Sequence, residues 1–426
     1  MTTRLNKDEL LYLRSLAQKT AALAQSDCEI QKLSVYESIN SLQIQKPPVS
    51  MFVPSSALEY FCPIAQCRLP EGFWKNIEYD LLCRLKLHEV LQTDLPVTKT
   101  LYSGLCATVT PWMDGYQTVR ATQSGHAVAF EPCINEYSDL SLLRQPELIV
   151  DEAATNLQYE LLLDALGDIL DIQKGTPYSS TCGWGDSVID QLVEMRGLNN
   201  FYIDLIDEPS FVHEAMQSMT EKKLNLLQQY KDYNCLFINH KSHIGSASFG
   251  YTSELPGSDF SPQKVLPHNL WGFAQAQELS GVSLDMLDEF ILPYQATLTK
   301  EFGLVAYGCC EPMDTRIPII EKHIKNLRLL SVSPFSDLQK AANFSQGRYV
   351  LACKLHPSLV VGFNEITFTQ TITQLLELTQ NCPTTIIFAE IMNYDTPSIL
   401  AQAVHTAKKA IDKFWERHEH PSCAEI

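Results

Sequence analysis

Gly303-Leu304-Val305-Ala306-Tyr307-Gly308-Cys309-Cys310-Glu311-Pro312 is an apolar run of strand length that ends in a glycine, two thiols, a carboxylate and a proline. A short apolar run bounded by glycine reads as a buried strand, and the polar residues at its exit belong to the following loop. Outward from it the same unit recurs, a short apolar strand, a polar loop and an amphipathic helix. Strands are expected at Phe201–Leu205, Cys235–Asn239, Gly303–Cys309, Leu327–Val332, Tyr349–Lys354 and Thr385–Ile391, with helices near 208–230, 282–301, 314–325, 336–345, 366–380 and 396–418. Such alternation specifies parallel βα units.

The first half is less periodic. Leu10, Leu11, Leu13, Leu16, Ala17 and Leu23 predict an amphipathic helix that Pro47-Pro48 ends, and Ile77, Leu81, Leu82, Leu85 and Val90 predict another over 71–91. A third helix, over 150–171, opens on Asp151-Glu152, whose charges suit a helix N-terminus. Strands near 49–54 and 101–107 bring the count to about eight, the number that closes a (β/α)8 TIM barrel. The expected architecture is therefore α/β, with a helical N-terminal extension over 1–46 and the barrel over 47–426.

Composition narrows the partners. A net charge of -18 disfavours nucleic acid and anionic membrane surfaces, since both would be repelled over most of the exterior. Thirteen scattered cysteines, an odd number, fit free thiols in a cytoplasmic protein better than a disulfide framework. No long apolar run points to a membrane span. Cys62 and Cys67 have metal-like spacing but no second pair nearby.

In a barrel the strand exits face the reaction, so chemistry is sought there. The exits offer Asn239, His240 and His243; Cys309, Cys310 and Glu311; Ser333-Pro334; Cys353, Lys354 and His356; and Glu390. Neighbouring strand residues point to opposite faces, so only one of Cys309 and Cys310 is expected to look inward. Cys310, His240 and Glu390 together would make a three-ligand site with an open position, and thiolate plus imidazole suits zinc. Cys309 is the alternative thiolate. Lys354, in an otherwise apolar strand, would pair with Glu390 or bind a substrate carboxylate or phosphate. The segment Gly245-Ser246-Ala247-Ser248-Phe249-Gly250-Tyr251 lacks the Lys-Ser/Thr ending of a P-loop and reads as a lid or a plain turn. Neither Gly-x-Ser-x-Gly nor His-Glu-x-x-His occurs.

Several stretches resemble the uroporphyrinogen decarboxylase and corrinoid methyltransferase superfamily. They are Asn199–Asp207 with Glu208-Pro209-Ser210-Phe211-Val212-His213, Leu270–Gln277, Glu289–Tyr294, Phe302–Pro312, Asn326-Leu327-Arg328, Ser331–Pro334 and Lys354. The likeness spans most of residues 65–415, and Tyr-Gly-Cys-Cys-Glu-Pro is its most specific part. It implies either cofactor-free porphyrinogen decarboxylation or zinc-dependent methyl transfer between a corrinoid protein and a thiol. The decarboxylase's Arg-Gln-Ala-Gly-Arg element is absent, and residues 40–60 contain no arginine. The related methyltransferases carry His-x-Cys at the third strand from last and a further Cys at the last; here Gly308 stands where the histidine belongs and Glu390 replaces the second thiolate.

The resemblance thus implies a zinc-dependent methyltransferase that moves a methyl group between a small substrate or thiol and a corrinoid protein. Its alternatives are a cofactor-free decarboxylase of another carboxylated substrate and a non-catalytic ligand-binding barrel. Expected roles are Glu311 and Lys354 in catalysis, Asn239, His243, Tyr307 and Gln277 on the substrate, and Cys310, Glu390, His240 and Cys309 on the metal. A corrinoid protein and a second copy of the chain, forming a homodimer, are the expected macromolecular partners.

Overall fold

Asn6 begins the first helix with a capping box, its side chain accepting from the amides of Asp8 and Glu9 while Glu9 accepts from the amide of Asn6. The computed structural model describes residues 4–120, 128–175, 187–389 and 396–417. The single N-terminal helix expected from periodicity is two, α1 (Lys7–Ala24) and α2 (Asp27–Asn40), because Ser26 caps a new helix start. They lead to β1 (Val49–Met51), α3 (Phe73–Leu91) and β2 (Thr100–Ser103). Four short strands follow, β3 (Ala107–Val109), β4 (Gln117–Arg120), β5 (Val128–Glu131) and β6 (Leu148–Val150), with β3 antiparallel to β6 and β4 to β5. Then come α4 (Glu152–Leu166), capped by Asp151, and β7 (Asp171–Lys174), which runs parallel to β2.

Helices α5 (Val188–Arg196), α6 (Leu198–Asp207) and α7 (Pro209–Asp232) come next. The strand expected at 201–205 is therefore helical. Its buried residues Phe201, Asp204 and Leu205 follow helical spacing, and Asp204 pairs with buried Arg196 at 2.7 Å. A hairpin, β8 (His243–Gly245) and β9 (Ser248–Phe249), precedes β10 (Trp271–Ala274). The helix expected over 282–301 is divided into α8 (Leu284–Phe290) and α9 (Leu292–Thr299), with Pro293 in the first turn of the second. The chain then alternates as the sequence predicts: β11 (Leu304–Tyr307), α10 (Ile317–His323), β12 (Leu327–Val332), α11 (Leu338–Ser345), β13 (Val350–Leu355), α12 (Ser358–Val361), α13 (Glu365–Thr379), β14 (Thr384–Phe388) and α14 (Pro397–Arg417).

Six strands form one parallel sheet in the order β1-β14-β13-β12-β11-β10, and β2 and β7 form a parallel pair. Among the described residues the two sheets share no ladder. The strand that leads to the thiols, β11, is followed by three more in the sheet, so it is fourth from last rather than third. No described helix is long and apolar enough to cross a membrane.

Both faces of the large sheet are covered, as parallel strands require. Val305, Tyr307, Leu330, Val332, Leu351, Cys353, Ile386 and Phe388 pack with the helices. On the opposite face, Trp271, Phe273, Leu304, Ala306, Leu329, Val350, Ala352, Ile387 and Ala389 surround Ile244 and Ala247 of the hairpin and Ile39 of α2. Segment 245–251 is therefore neither a lid nor a plain surface turn, because its hairpin lies against this inner face. Glycine makes the approach possible: a Cβ on Gly245 would stand 2.6 Å from the Phe273 ring. The Trp271 indole N–H donates to the Gly250 carbonyl at 2.9 Å.

The outer edges of the sheet are closed by side chains. On β1, Val49 N–H donates to the Asp94 carboxylate at 2.9 Å and the Asp94 amide returns a bond to Val49 O at 2.7 Å. On β10, Trp271 N–H donates to Asn239 Oδ1 and Asn239 Nδ2 donates to Trp271 O, both at 2.9 Å. The strand expected at 235–239 thus forms no ladder, and one amide side chain does the pairing in its place. Asn239→Leu orphans two buried backbone groups of Trp271, and we expect a loss of about 3 kcal/mol, at ~1–3 kcal/mol for each group left without a partner. An unchanged denaturant midpoint in this variant would contradict this account of the edge.

Candidate functional site

Strand β11 stops because Gly308 leaves the extended conformation at φ 101°, where a side chain is disfavoured. A Cβ there would also meet Met313 Cε at 2.2 Å and Ser331 O at 3.0 Å. Past this point the alternation of a strand no longer governs, so the expectation that only one thiol looks inward does not hold. Cys309 and Cys310 bring their sulfurs to 3.7 Å of each other, and both side chains are half-buried.

Three groups fix Cys309. Its amide donates to Glu311 Oε2 at 2.8 Å, while Glu311 Oε1 accepts from the amide of Ala276 at 2.9 Å. Glu311 is fully buried, and each of its oxygens ties a strand-exit loop in place. From the inner face of β13, Lys354 Nζ donates to the Cys309 carbonyl at 3.1 Å and lies 4.0 Å from its sulfur. The hydroxyl of Ser246 also hydrogen-bonds Cys309, and Ser246 Oγ stands 3.0 Å from Ser331 Oγ. Ser246 and Ala247 form the hairpin turn at φ 49° and 60°, a conformation that costs a non-glycine residue energy and that clusters at functional sites.

These contacts make one sulfur unusually acidic. The hydrogen bond from Cys310 is the largest influence on Cys309; burial opposes it, and the Lys354 charge and the Ser246 hydroxyl reinforce it, leaving the thiol pulled down to about 7. The thiolate, the form that reacts, is thereby favoured. The other deep thiols behave in the opposite sense. Burial pushes Cys83 up to about 12 and raises Cys353 further, so both stay protonated.

The remaining expected residues are dispersed. Tyr307 is fully buried on the helix-facing side of β11, its hydroxyl donating to Gln295 Oε1 at 2.9 Å, which turns it away from the inner face. Asn239 is committed to Trp271. Gln277 sits in a short 3-10 turn after β10 with its amide on Glu278 at 3.3 Å. Glu311, expected in catalysis, accepts from two backbone amides, those of Cys309 and Ala276. His243 stays near the site: its ring stacks on Phe52 at 4.6 Å, and burial followed by the Lys354 charge pushes it down to about 4, so it is a neutral imidazole at pH 7.

The expected zinc set does not assemble among the described residues. Glu390 lies outside them. His240 is buried, and its Nδ1 has no partner among the described residues. It lines a separate cavity with Thr100, Tyr102, Gln173, Lys241 and Phe260. Burial, followed by the Lys241 charge, pushes it down to about 4. No three described His, Cys, Asp or Glu side chains come together as a metal would need, so His240 does not join Cys309 and Cys310. Two adjacent thiols with a lysine ammonium on one of them do not by themselves fit a zinc centre. Sequence reasoning missed Ser246; the glycines flanking its turn, Gly245 and Gly250, are the signal of a close backbone approach.

No family model and no curated protein matches this sequence. Solved structures do match. One, a methyltransferase from Methanosarcina mazei, is 10% identical, covers 90% of this chain and 99% of its own, and superposes with a TM-score of 0.48. At that distance the likeness decides neither chemistry nor fold.

Alkylation of Cys309 by iodoacetamide should rise as pH increases through about 7, because the thiolate is scarce below that value and dominant above it. Lys354→Met removes a cation that favours the anion, so its profile should move to higher pH, with alkylation about three- to tenfold slower at pH 7 and unchanged well above pH 9. An identical profile in the folded variant would rule Lys354 out as the stabilising charge.

Proposed function

We propose that this chain is a methyltransferase that moves a methyl group between a small substrate or thiol and a corrinoid carried by a partner protein, with Cys309 as the transferring sulfur. The proposal includes a barrel closed by β2, β7 and segment 235–239 standing between the two edges of the six-stranded sheet. The observation that carries the reading is the Cys309 sulfur at a strand exit, 3.7 Å from the Cys310 sulfur and 4.0 Å from Lys354 Nζ. A thiolate fixed beside a cation is a ready nucleophile toward an electrophilic carbon.

The step the residues support is a direct displacement. The Cys309 thiolate attacks the methyl carbon, the sulfur–carbon bond forms as the donor–carbon bond breaks, and the leaving group departs with the bonding pair. Lys354 stabilises the anion before attack, and Glu311, by holding the backbone on both sides of the exit, keeps the sulfur in position. His243, neutral at pH 7, supplies a hydrogen-bonding wall for the substrate. Zinc at this site would need donors beyond the two thiols, for which Glu390 remains the sequence's own candidate.

Incubation with methylcobalamin should leave the peptide containing Cys309 heavier by one methylene. The Cys309→Ser variant should lose the modification, and Cys310→Ala should slow it about tenfold by removing the hydrogen bond that favours the anion. Methylation that persists in Cys309→Ser, or equal yield in every variant, would sink the assignment. Stoichiometric zinc lost on Cys310→Ala would instead return the metal-dependent form of the reaction.

A further inference from the structure

We propose that Cys309 and Cys310 are a redox modification site, closing on each other as a vicinal disulfide in the presence of a hydroperoxide and reopening with a thiol reductant. The chemical step stands on the geometry; its consequence for turnover rests on the methyl-transfer reading.

Adjacent cysteines in a continuing strand face opposite ways and cannot meet. Here Gly308 ends the strand one residue early, and the two sulfurs already stand 3.7 Å apart, so closure needs a movement of under about 2 Å to bonding distance. Both side chains are partly open to solvent, as are Cys67, Cys106 and Cys133, while Cys28 is exposed and Cys62, Cys83, Cys235, Cys353 and Cys382 are buried. The 3.7 Å approach of the two sulfurs and the Lys354 Nζ 4.0 Å from one of them favour this pair. Cys309 is anchored through its amide on Glu311 and its carbonyl on Lys354.

Cys309 Sγ attacks the distal oxygen of the hydroperoxide; a sulfur–oxygen bond forms, the oxygen–oxygen bond breaks, and the alkoxide or hydroxide leaves and takes up the thiol proton. Cys310 Sγ then attacks Cys309 Sγ; the sulfur–sulfur bond forms, the sulfur–oxygen bond breaks, and hydroxide leaves with the Cys310 proton as water. Two thiols and one hydroperoxide become one disulfide, one alcohol or water, and one further water. Consecutive Cα atoms are only about 3.8 Å apart, closer than an unstrained disulfide allows, so the bond is a labile one that cellular thiols reopen. While closed, it removes the transferring sulfur.

The experiment treats the full-length protein with hydrogen peroxide and maps its peptides. The peptide spanning 309–310 should lose the mass of two hydrogens, resist iodoacetamide by about tenfold or more, and recover with dithiothreitol. In Cys310→Ser no such loss should occur, and Cys309 should be trapped by dimedone as a sulfenic acid. Direct passage of wild-type Cys309 to the sulfinic acid, or continued alkylation of both thiols after peroxide, would overturn the proposal. Methylation by methylcobalamin is measured before and after oxidation. A disulfide that forms in protein never methylated at Cys309 upholds the modification and overturns the transfer reading.

Discussion

The parallel sheet β1-β14-β13-β12-β11-β10 must be covered on both faces, and most of what is distinctive in this molecule follows from how the inner face is covered. The outer face meets helices in the usual way. The inner face is lined at Ala306, Ser331 and Ala352 by residues too small to fill the space between strands. The hairpin β8–β9 fills it, with Ile244 and Ala247 packed among the strand side chains. From the other direction, Ile39 of α2 joins the same layer, and Asn40 next to it donates to the carbonyls of Phe249 and Tyr251. Arg328 at the start of β12 donates in turn to the Asn40 carbonyl and grips Glu254, so helix, hairpin and sheet are bound by hydrogen bonds as well as by apolar contact.

Filling the inner face with a hairpin also delivers a functional group. The turn must reverse within two residues, and those residues are Ser246 and Ala247 in the left-handed region rather than the Asn-Gly that such a turn prefers. The energy this costs is offset by burial of Ala247 and by the Ser246 hydroxyl between Ser331 and Cys309. Structural cover and sulfur chemistry are one feature at this point. Glu311 shows the same economy: a carboxylate at the strand exit, suggestive of acid–base work, instead joins the exit loops of β10 and β11.

Much of the second half was legible in the sequence. The strands at 327–332, 349–354 and 385–391 and the helices after them were found to within a few residues, because buried parallel strands are continuous apolar runs and amphipathic helices keep a 3.6-residue period. Residues 201–205 failed for the converse reason, since five apolar-rich residues fit either template and the Arg196–Asp204 pair that settles the helix is invisible to periodicity. β7 was hidden at the end of an expected helix, and β10 lay inside a stretch noticed only for its resemblance.

At the site, the sequence by itself determined that two thiols, a carboxylate and a lysine stand at strand exits, because strand ends are marked by local composition. It did not determine which of them meet. Alternation along a strand argued that the thiols diverge, and only the left-handed Gly308, required by the closeness of Met313 and Ser331 from other elements, turned them toward each other. His240 and Cys310 share the chemistry of ligands but not a location. Residue type is written one position at a time, whereas convergence depends on the register of strands and the path of loops, which long-range packing alone decides.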